Sequence, residues 1–370
     1  YLGANLMSRQ SELAELSRVY DSSALSNRNL IINGAMQVAQ RATSVTGIGT
    51  NAGAYHTLDR WKLYANNTAG RLTMSQASDG PSGFANCLKF DCTTADTSIA
   101  ADEALILITR FEGQDLQKFA KGTSDAKPFA VSFYVKGDAN ATYVCELRDE
   151  DNTRIISKLF SVTTAWTRVE IIFPADTTGA FTDDNNLSLS MNIFLHAGSN
   201  YTSGTLNSSS WAANNNANRA VGISSFFDST NREFYLTGVQ LEVGDTATPF
   251  EHRSFDDELR RCYRYYQQLK NTLGTHYLGI NQAYSTGAVF GMVRDYIVPM
   301  RTVPTVGQDG NFSFSQADSA AINTGAIQNL AANDAGWYCG GWSGGSGLVY
   351  GGASVLYWAV NAKLTADAEL

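Results

Sequence analysis

From about residue 28 to residue 250, apolar and polar side chains alternate with a period of two. In Phe129-Ala-Val-Ser-Phe-Tyr-Val135, Phe129, Val131, Phe133 and Val135 fall on one side, and Ala130, Ser132 and Tyr134 on the other. Successive side chains of extended backbone point to opposite faces, so this spacing half-buries a β-strand. Leu187, Leu189, Met191, Ile193 and Leu195 repeat it, as do Val169, Ile171 and Phe173. Between the runs lie turn-forming clusters, among them Lys136-Gly-Asp-Ala-Asn140, Asp149-Glu-Asp-Asn152, Ala175-Asp-Thr-Thr-Gly179 and Asp183-Asp-Asn-Asn186. Roughly eight strands at such intervals, with no helical pattern long enough for a βαβ crossover, predict two antiparallel sheets packed face to face. In Glu233 to Val243 the apolar phase runs through Phe234 and Leu236, then shifts at Gly238 to Val239, Leu241 and Val243, which predicts a β-bulge.

Two segments carry a helical period instead. Leu6, Leu13, Leu16, Val19 and Tyr20 share one helical face, with Glu12, Glu15 and Arg18 off it. So short a helix docks either on its own domain or on other subunits. Over Asp256 to Leu269 the residues Leu259, Cys262, Tyr263, Tyr266 and Leu269 share a face, as in a connector helix. Strand-like runs resume at Ala288 to Val298, Asn311 to Ser315 and Ser354 to Lys363, with the Gly-rich Cys339 to Gly347 between the last two. The expected fold is therefore all-β: an N-terminal helix and link (1–27), a jelly-roll β-sandwich (28–252), a connector helix (253–272), and a smaller C-terminal β-sandwich domain (273–370).

Composition narrows the function. Only 17% of residues are charged and the formal net charge is −8, so the chain lacks the basic face with which a nucleic-acid binder displaces counterions. No apolar stretch approaches the roughly 20 residues that span a bilayer, and membrane insertion is not expected. The five cysteines form no C-x-x-C pair. Cys87 and Cys92 lie on one predicted strand about 16 Å apart, beyond disulfide reach. All five read as reduced thiols, as in a protein assembled in a bacterial cytoplasm.

A series of segments extends the reading. Asn29-Leu-Ile-Ile-Asn-Gly-Ala-Met-Gln-Val-Ala-Gln-Arg41 is followed by Tyr55-His-Thr-Leu-Asp-Arg-Trp61, Phe111-Glu-Gly-Gln114 and Ala126-Lys-Pro-Phe-Ala-Val-Ser-Phe-Tyr-Val-Lys136. Thr237-Gly-Val-Gln-Leu-Glu-Val-Gly244, Ala247-Thr-Pro-Phe-Glu-His-Arg253, Glu258-Leu-Arg-Arg-Cys-Tyr-Arg-Tyr-Tyr266, Pro299-Met-Arg-Thr-Val-Pro-Thr305 and Ala366-Asp-Ala-Glu-Leu370 complete it. Taken together, the series resembles a family of bacteriophage tail-fibre and virion appendage proteins. The resemblance implies a carbohydrate-binding-module-like jelly roll followed by a variable C-terminal β domain, usually in homotrimers, and no accepted set of catalytic residues. The expected protein is thus a non-enzymatic fibre or spike subunit on the virion surface, made in the host cytoplasm, whose partners are other virion proteins and a host cell-surface glycan.

Candidate contact residues follow from exposed-looking aromatics. Tyr201 and Trp211 sit in a Ser/Asn-rich loop from Tyr201 to Asn218, where a ring can stack on a sugar while amides bond its hydroxyls, or can fold back and pin the loop. Trp337, Tyr338, Trp342 and Tyr350 accompany the Gly-rich tract, either as a receptor-contact tip or as turns filling a trimer interface. Trp61 and Trp166 read as core. Asp183 and Asp184 offer oxygen ligands of the kind Ca²⁺ takes, but the motif lacks the Gly and distal Glu of an EF-hand loop, so an ordinary turn is expected and no cofactor. His56, His196, His252 and His276 are too scattered for zinc. No P-loop or H-E-x-x-H occurs. Glu146, Glu170 and Glu242 are expected to point outward. A capsid-decoration or tail-adaptor protein is the alternative function, and a glycan depolymerase a more distant one.

Overall fold

The computed structural model describes residues 27–49, 52–272, 276–316, 322–323, 328–343 and 347–370. The helix expected over Leu6 to Tyr20 lies outside these residues. The chain divides into two compact units, Tyr1–Glu258 and Leu259–Leu370.

The first unit is a β-sandwich built from β1 (Ser44–Ile48), β2 (Ala52–Ala54), β3 (Lys62–Asn66), β4 (Arg71–Ala77), β5 (Cys87–Thr94), β6 (Ala104–Glu112), β7 (Phe129–Gly137), β8 (Ala141–Asp149), β9 (Arg154–Val162), β10 (Thr167–Phe173), β11 (Leu187–Ala197), β12 (Ala212–Ala213) and β13 (Glu233–Val243). One sheet has the order β1-β4-β5-β13-β7-β10, the other β12-β9-β8-β11-β6-β3-β2. All the pairings are antiparallel. Strands distant in sequence lie side by side, β13 between β5 and β7 and β11 between β8 and β6, as in a jelly roll.

Strand alternation accounts for the core. Phe129, Val131, Phe133 and Val135 of β7 meet Leu189, Met191, Ile193 and Leu195 of β11 and Leu105, Leu107 and Phe111 of β6 in one buried cluster. Trp61 belongs to it with no exposure, its indole N–H donating to the Asn33 carbonyl at 3.1 Å. The phase shift at Gly238 is a register break between Thr237 and Gln240. Gly238 takes φ +61°, and a Cβ there would lie 2.7 Å from the Phe84 ring. Only glycine suits both constraints.

Two expectations about this unit change. Trp166 is half-buried on the outer face of the six-stranded sheet rather than in the core, with Lys136 over its ring at 5.6 Å. Glu146 and Glu242 occupy outward positions yet are buried, because loops cover them.

Helix α1 (Ser199–Thr202) is a single turn after β11, and α2 (Phe255–Tyr263) carries the chain across the unit boundary. The expected connector helix is therefore shorter than its apolar period. Tyr266 and Leu269 instead belong to β14 (Tyr266–Lys270), whose backbone pairs with the C-terminal strand; a ladder partner outranks a weak helical period.

The second unit contains β14, β15 (His276–Ser285), β16 (Ala288–Asp295), β17 (Thr305–Asp309), β18 (Phe312–Gln316), β19 (Ile322–Asn323), β20 (Gln328–Ala332), β21 (Gly336–Ser343), β22 (Ala353–Trp358) and β23 (Lys363–Asp367). Its sheets have the orders β14-β23-β17 and β19-β18-β22-β15-β16-β21-β20. The run read as one strand from Ser354 to Lys363 is two, β22 and β23, parted by a turn in which Asn361 takes φ +65°. Leu278, Val289, Phe312, Leu356 and Leu364 form its main buried cluster. Among the described residues, no helix is long and apolar enough to cross a membrane.

Candidate functional site

Alternation leaves a second set of side chains on the outer face of the seven-stranded sheet. Antiparallel register sets them in rows across β6, β11 and β8. Ile106 faces Phe194, which faces Val144; Ile108 faces Asn192, which faces Glu146; Arg110 faces Ser190, which faces Arg148. Tyr64 of β3 lies beside Ile106.

The first row is roofed. The chain after β11 folds back over it, and Ala220 buries with Ala104, Ile106, Val144 and Phe194, flanked by Tyr201, Leu206 and Ile223. Backbone bonds hold the roof: Ala220 N–H donates to the Tyr201 carbonyl at 2.9 Å, and Ser157 N–H to the Asn207 carbonyl at 2.8 Å. Glu146 fastens it from below. Its carboxylate accepts from Arg219 Nε at 2.9 Å and Nη2 at 2.6 Å, and from Asn192 Nδ2 at 2.8 Å. Burial alone would lower the Arg219 pKa, but the Glu146 charge outweighs it and raises that pKa.

Beside the roof a cleft of about 350 Å³ opens onto the remaining rows, with Tyr64, Ile108, Arg110, Asn192, Tyr201 and Asn214 among its walls. Asn192 is 3% exposed, and its Oδ1 has no hydrogen-bond partner; nor has Asn214 Oδ1. A buried acceptor without a donor costs on the order of 1–3 kcal/mol, so these two oxygens are hydrogen-bonding capacity that the described residues leave unused beside the cleft. Ser190 Oγ donates to Glu150 Oε1 at 2.7 Å. Arg148 Nε lies 3.0 Å from Glu150 Oε2, an ion pair not aligned as a hydrogen bond. Tyr201 is half-buried, its ring 6.0 Å from Phe194. Burial raises its pKa, so the phenol is neutral and can donate.

Of the aromatics singled out in the sequence, the cleft contains Tyr201. Trp211 comes from the same loop but is 6% exposed. Its ring packs 5.5 Å from Phe129, and its indole N–H donates to the Pro174 carbonyl at 2.8 Å, so it pins the loop to the sandwich and offers no face to a ligand. Trp337 is likewise core: 2% exposed, edge-on to Tyr296 at 4.6 Å. It, Tyr338 and Trp342 lie on β21, paired to Arg294, Val293 and Val289 of β16, not in a loop as the glycines suggested. Tyr350, in the turn before β22, is 77% exposed.

Asp183 and Asp184 form an ordinary turn in which Asp184 accepts from Asn186 N–H at 2.9 Å. Among the described residues no cluster of His, Cys, Asp or Glu could hold a metal. A different acidic pair is occupied internally. The buried Lys121 ammonium donates to Asp149 at 2.5 Å and to the Thr178 and Gly179 carbonyls at 2.9 and 2.7 Å, with Asp176 at 3.2 Å. A Ser–His–Glu array, Ser225 Oγ 2.8 Å from His196 Nδ1 and Glu103 2.9 Å from Nε2, is not on the cleft walls. Ser225 Oγ also accepts from Phe227 N–H at 3.1 Å, so the array braces the chain beside β11.

The polar rows were missed because each is assembled from three strands far apart in sequence. A signal existed: Ser188, Ser190 and Asn192 alternate with a fully apolar inward set, and Phe194 in the same phase marks where a cover begins.

No protein-family model and no curated protein matches the chain. Solved structures with a similar arrangement include the enzymatically active domain of bacteriophage CBA120 tailspike protein 4, at 10% identity and a TM-score of 0.32 over 58% of this chain. The match spans 21% of that tailspike chain. A family 4 carbohydrate-binding module matches at 10% identity and a TM-score of 0.31, over 57% of this chain and 97% of its own. The family 11 carbohydrate-binding module of a Clostridium thermocellum cellulase matches at 12% identity and a TM-score of 0.27, over 57% and 99%.

Proposed function

We propose that this protein is a non-enzymatic virion appendage subunit of a tailed bacteriophage, and that the outer face of its jelly roll binds a host-surface glycan. The observation that carries the binding reading is the cleft beside the roof, where Asn192 Oδ1 is buried without a partner between Tyr64, Tyr201 and a polar row. Aromatic faces for a sugar ring and unpaired acceptors for its hydroxyls are the two requirements of glycan recognition. The virion assignment rests on the series of segments from Asn29 to Thr305, which resembles tail-fibre and appendage proteins.

Binding without turnover is supported by the carboxylates. A glycosidase generally needs two, flanking the scissile bond. Among the described residues Glu150 is the one carboxylate on the cleft walls, and it already engages Ser190 and Arg148. Glu146, beneath the cleft, is saturated by Arg219 and Asn192.

A homotrimer is the expected assembly. Ile280, Val293, Ile297, Val303, Val349 and Tyr350 in the second unit are each at least 60% exposed, which suits a contact surface. The same residues favour, as a second reading, a structural virion component that uses this unit to hold other virion proteins.

The test is a glycan array and a whole-cell binding assay with the purified full chain, with bound sugar followed for cleavage. Selective binding that Asn192→Ala weakens, without new reducing ends, is expected. Cleavage would overturn the non-enzymatic reading, and no binding to any glycan or cell would leave the structural one.

A further inference from the structure

The charged groups around the cleft are already engaged. Arg148 pairs with Glu150, Ser190 donates to the same carboxylate, Arg219 holds Glu146, and Arg110 has a partner as well. What remains for a ligand is neutral: Asn192 Oδ1, Asn214 Oδ1, the phenols of Tyr64 and Tyr201, and the side chains of Ile106 and Ile108. A ligand that fits these walls brings hydrogen-bond donors and apolar surface, and no charge.

Asn192 sets the chemistry at the floor. Its Nδ2 donates to Glu146 Oε1 at 2.8 Å. An ionised carboxylate only accepts, so the amide has one possible orientation and Oδ1 is the atom left without a partner. Glu146 stands opposite Asn192 on β8, and Ile108 stands opposite it on β6, the other neighbour of β11. With Nδ2 turned to β8, Oδ1 lies on the side of half-buried Ile108, and Ile106, 5% exposed, is in the next row.

A group that meets Oδ1 therefore comes to rest against isoleucine. A hydroxyl suits this place poorly, because it carries two acceptor lone pairs beside its one donor, and lone pairs buried against an aliphatic wall without a donor offset the bond gained. A secondary amide N–H brings a donor and no acceptor at nitrogen. In an acetamido group it is joined to a methyl, which suits the isoleucine surface, and to a carbonyl, which needs a neutral donor. Tyr201 supplies one: burial, and then the neighbouring Tyr64 phenol, raise its pKa, so its hydroxyl keeps its proton.

We propose that the cleft selects a neutral sugar bearing an acetamido group, with the amide N–H on Asn192 Oδ1, the methyl against Ile108 and the carbonyl accepting from the Tyr201 hydroxyl. The ring hydroxyls then reach Asn214 Oδ1 and the Tyr64 phenol. This rests on the glycan-binding reading above and assigns its substrate class.

The experiment is calorimetric titration of the full chain with two matched pairs of oligosaccharides, equal in length and linkage within each pair: glucose against N-acetylglucosamine, and galactose against N-acetylgalactosamine. At least one acetamido oligomer should bind about tenfold more tightly than its hexose counterpart, the scale of one hydrogen bond gained together with a buried methyl. Its affinity should change by less than about twofold as salt is raised, since no charge is paired. Ile108→Thr, which keeps the branched shape but puts a hydroxyl where the methyl rests, and Tyr201→Phe, which removes the carbonyl's donor, should each weaken the acetamido oligomer severalfold more than the hexose one. Melting curves of both variants separate lost binding from lost fold. Hexose oligomers that bind as tightly as their acetamido partners overturn this inference and leave the glycan reading standing, as does an acetamido preference that both variants retain. Absence of binding by all four oligomers overturns it too, and the glycan array then decides the wider reading separately.

Discussion

Arg219 grips Glu146 through two hydrogen bonds, 2.9 Å from Nε and 2.6 Å from Nη2, with Glu146 fully buried and Arg219 6% exposed. The pair joins the returning loop to the middle strands of the seven-stranded sheet, so one ion pair serves both the stability of the unit and the shape of the cleft.

Breaking that pair from either side leaves a charge buried without its partner, which typically costs about 3–5 kcal/mol. Glu146→Ala is therefore expected to lower the unfolding free energy of the first unit, measured by urea denaturation, by an amount in that range. Glu146→Ala with Arg219→Leu should recover part of the loss while glycan binding stays weak, because the loop is untethered. A double mutant no more stable than Glu146→Ala would show that the pair is not coupled.

Lys121 holds a comparable position at one edge of the sandwich. Its ammonium pairs with Asp149 and Asp176, the latter shared with Arg154, and satisfies the Thr178 and Gly179 carbonyls. Lys121→Met should destabilise the unit by about 3–5 kcal/mol, since two carboxylates then face each other with Arg154 alone to compensate. Chelator should leave the melting temperature of the unaltered protein unchanged. A drop on adding EDTA would mean that a metal, not Lys121, supplies the charge.

Trp211 and Tyr350 separate packing from contact. Trp211→Ala removes a buried indole against Phe129 and is expected to cost about 3–5 kcal/mol by chemical denaturation. Tyr350→Ala removes a ring that is 77% exposed and should change stability by less than about 0.5 kcal/mol. Attachment to host cells then reports on Tyr350 alone: a loss at unchanged stability supports the second unit as a contact surface, and wild-type attachment removes Tyr350 from it.

These two residues also mark what the amino-acid pattern discloses. Leu187 to Leu195 was legible as a strand because every second residue is apolar, and such alternation has one physical outcome on a half-buried sheet. Gly238 was legible because a phase shift at glycine has few explanations. Trp211 was not, since its Ser and Asn neighbours describe the loop's solvent side and say nothing of the one side chain that turns inward. The glycines around Cys339 suggested turns, yet β21 runs through them, because ladder partners on β16 supply what local propensity lacks. The cleft joins Arg110, Asn192 and Arg148 through register, to which the returning loop adds Arg219, and register is invisible until the strands are paired.

Acid should unfold the first unit in a defined window. Burial by itself raises the Asp96 pKa, but hydrogen bonds from the Thr68 hydroxyl at 2.9 Å and Ala69 N–H at 2.7 Å outweigh it and hold the carboxyl below its ordinary range. Asp176 behaves alike, with burial opposed by Arg154 Nε at 2.7 Å, Thr178 N–H at 3.1 Å and Lys121. A carboxyl with a lower pKa folded than unfolded binds fewer protons folded, so its stabilisation is complete above the unfolded value of about 3.9 and is lost as pH falls through the folded one. The contribution of these two groups to the melting temperature is thus expected to be constant between pH 7 and about pH 5, and to be lost steeply below about pH 4. Asp96→Asn and Asp176→Asn should each lower the plateau and flatten the acid limb, as scanning calorimetry across a pH series would record. An acid limb equally steep in both variants would assign the transition to other carboxylates, and these two would then be ordinary surface acids in energetic terms.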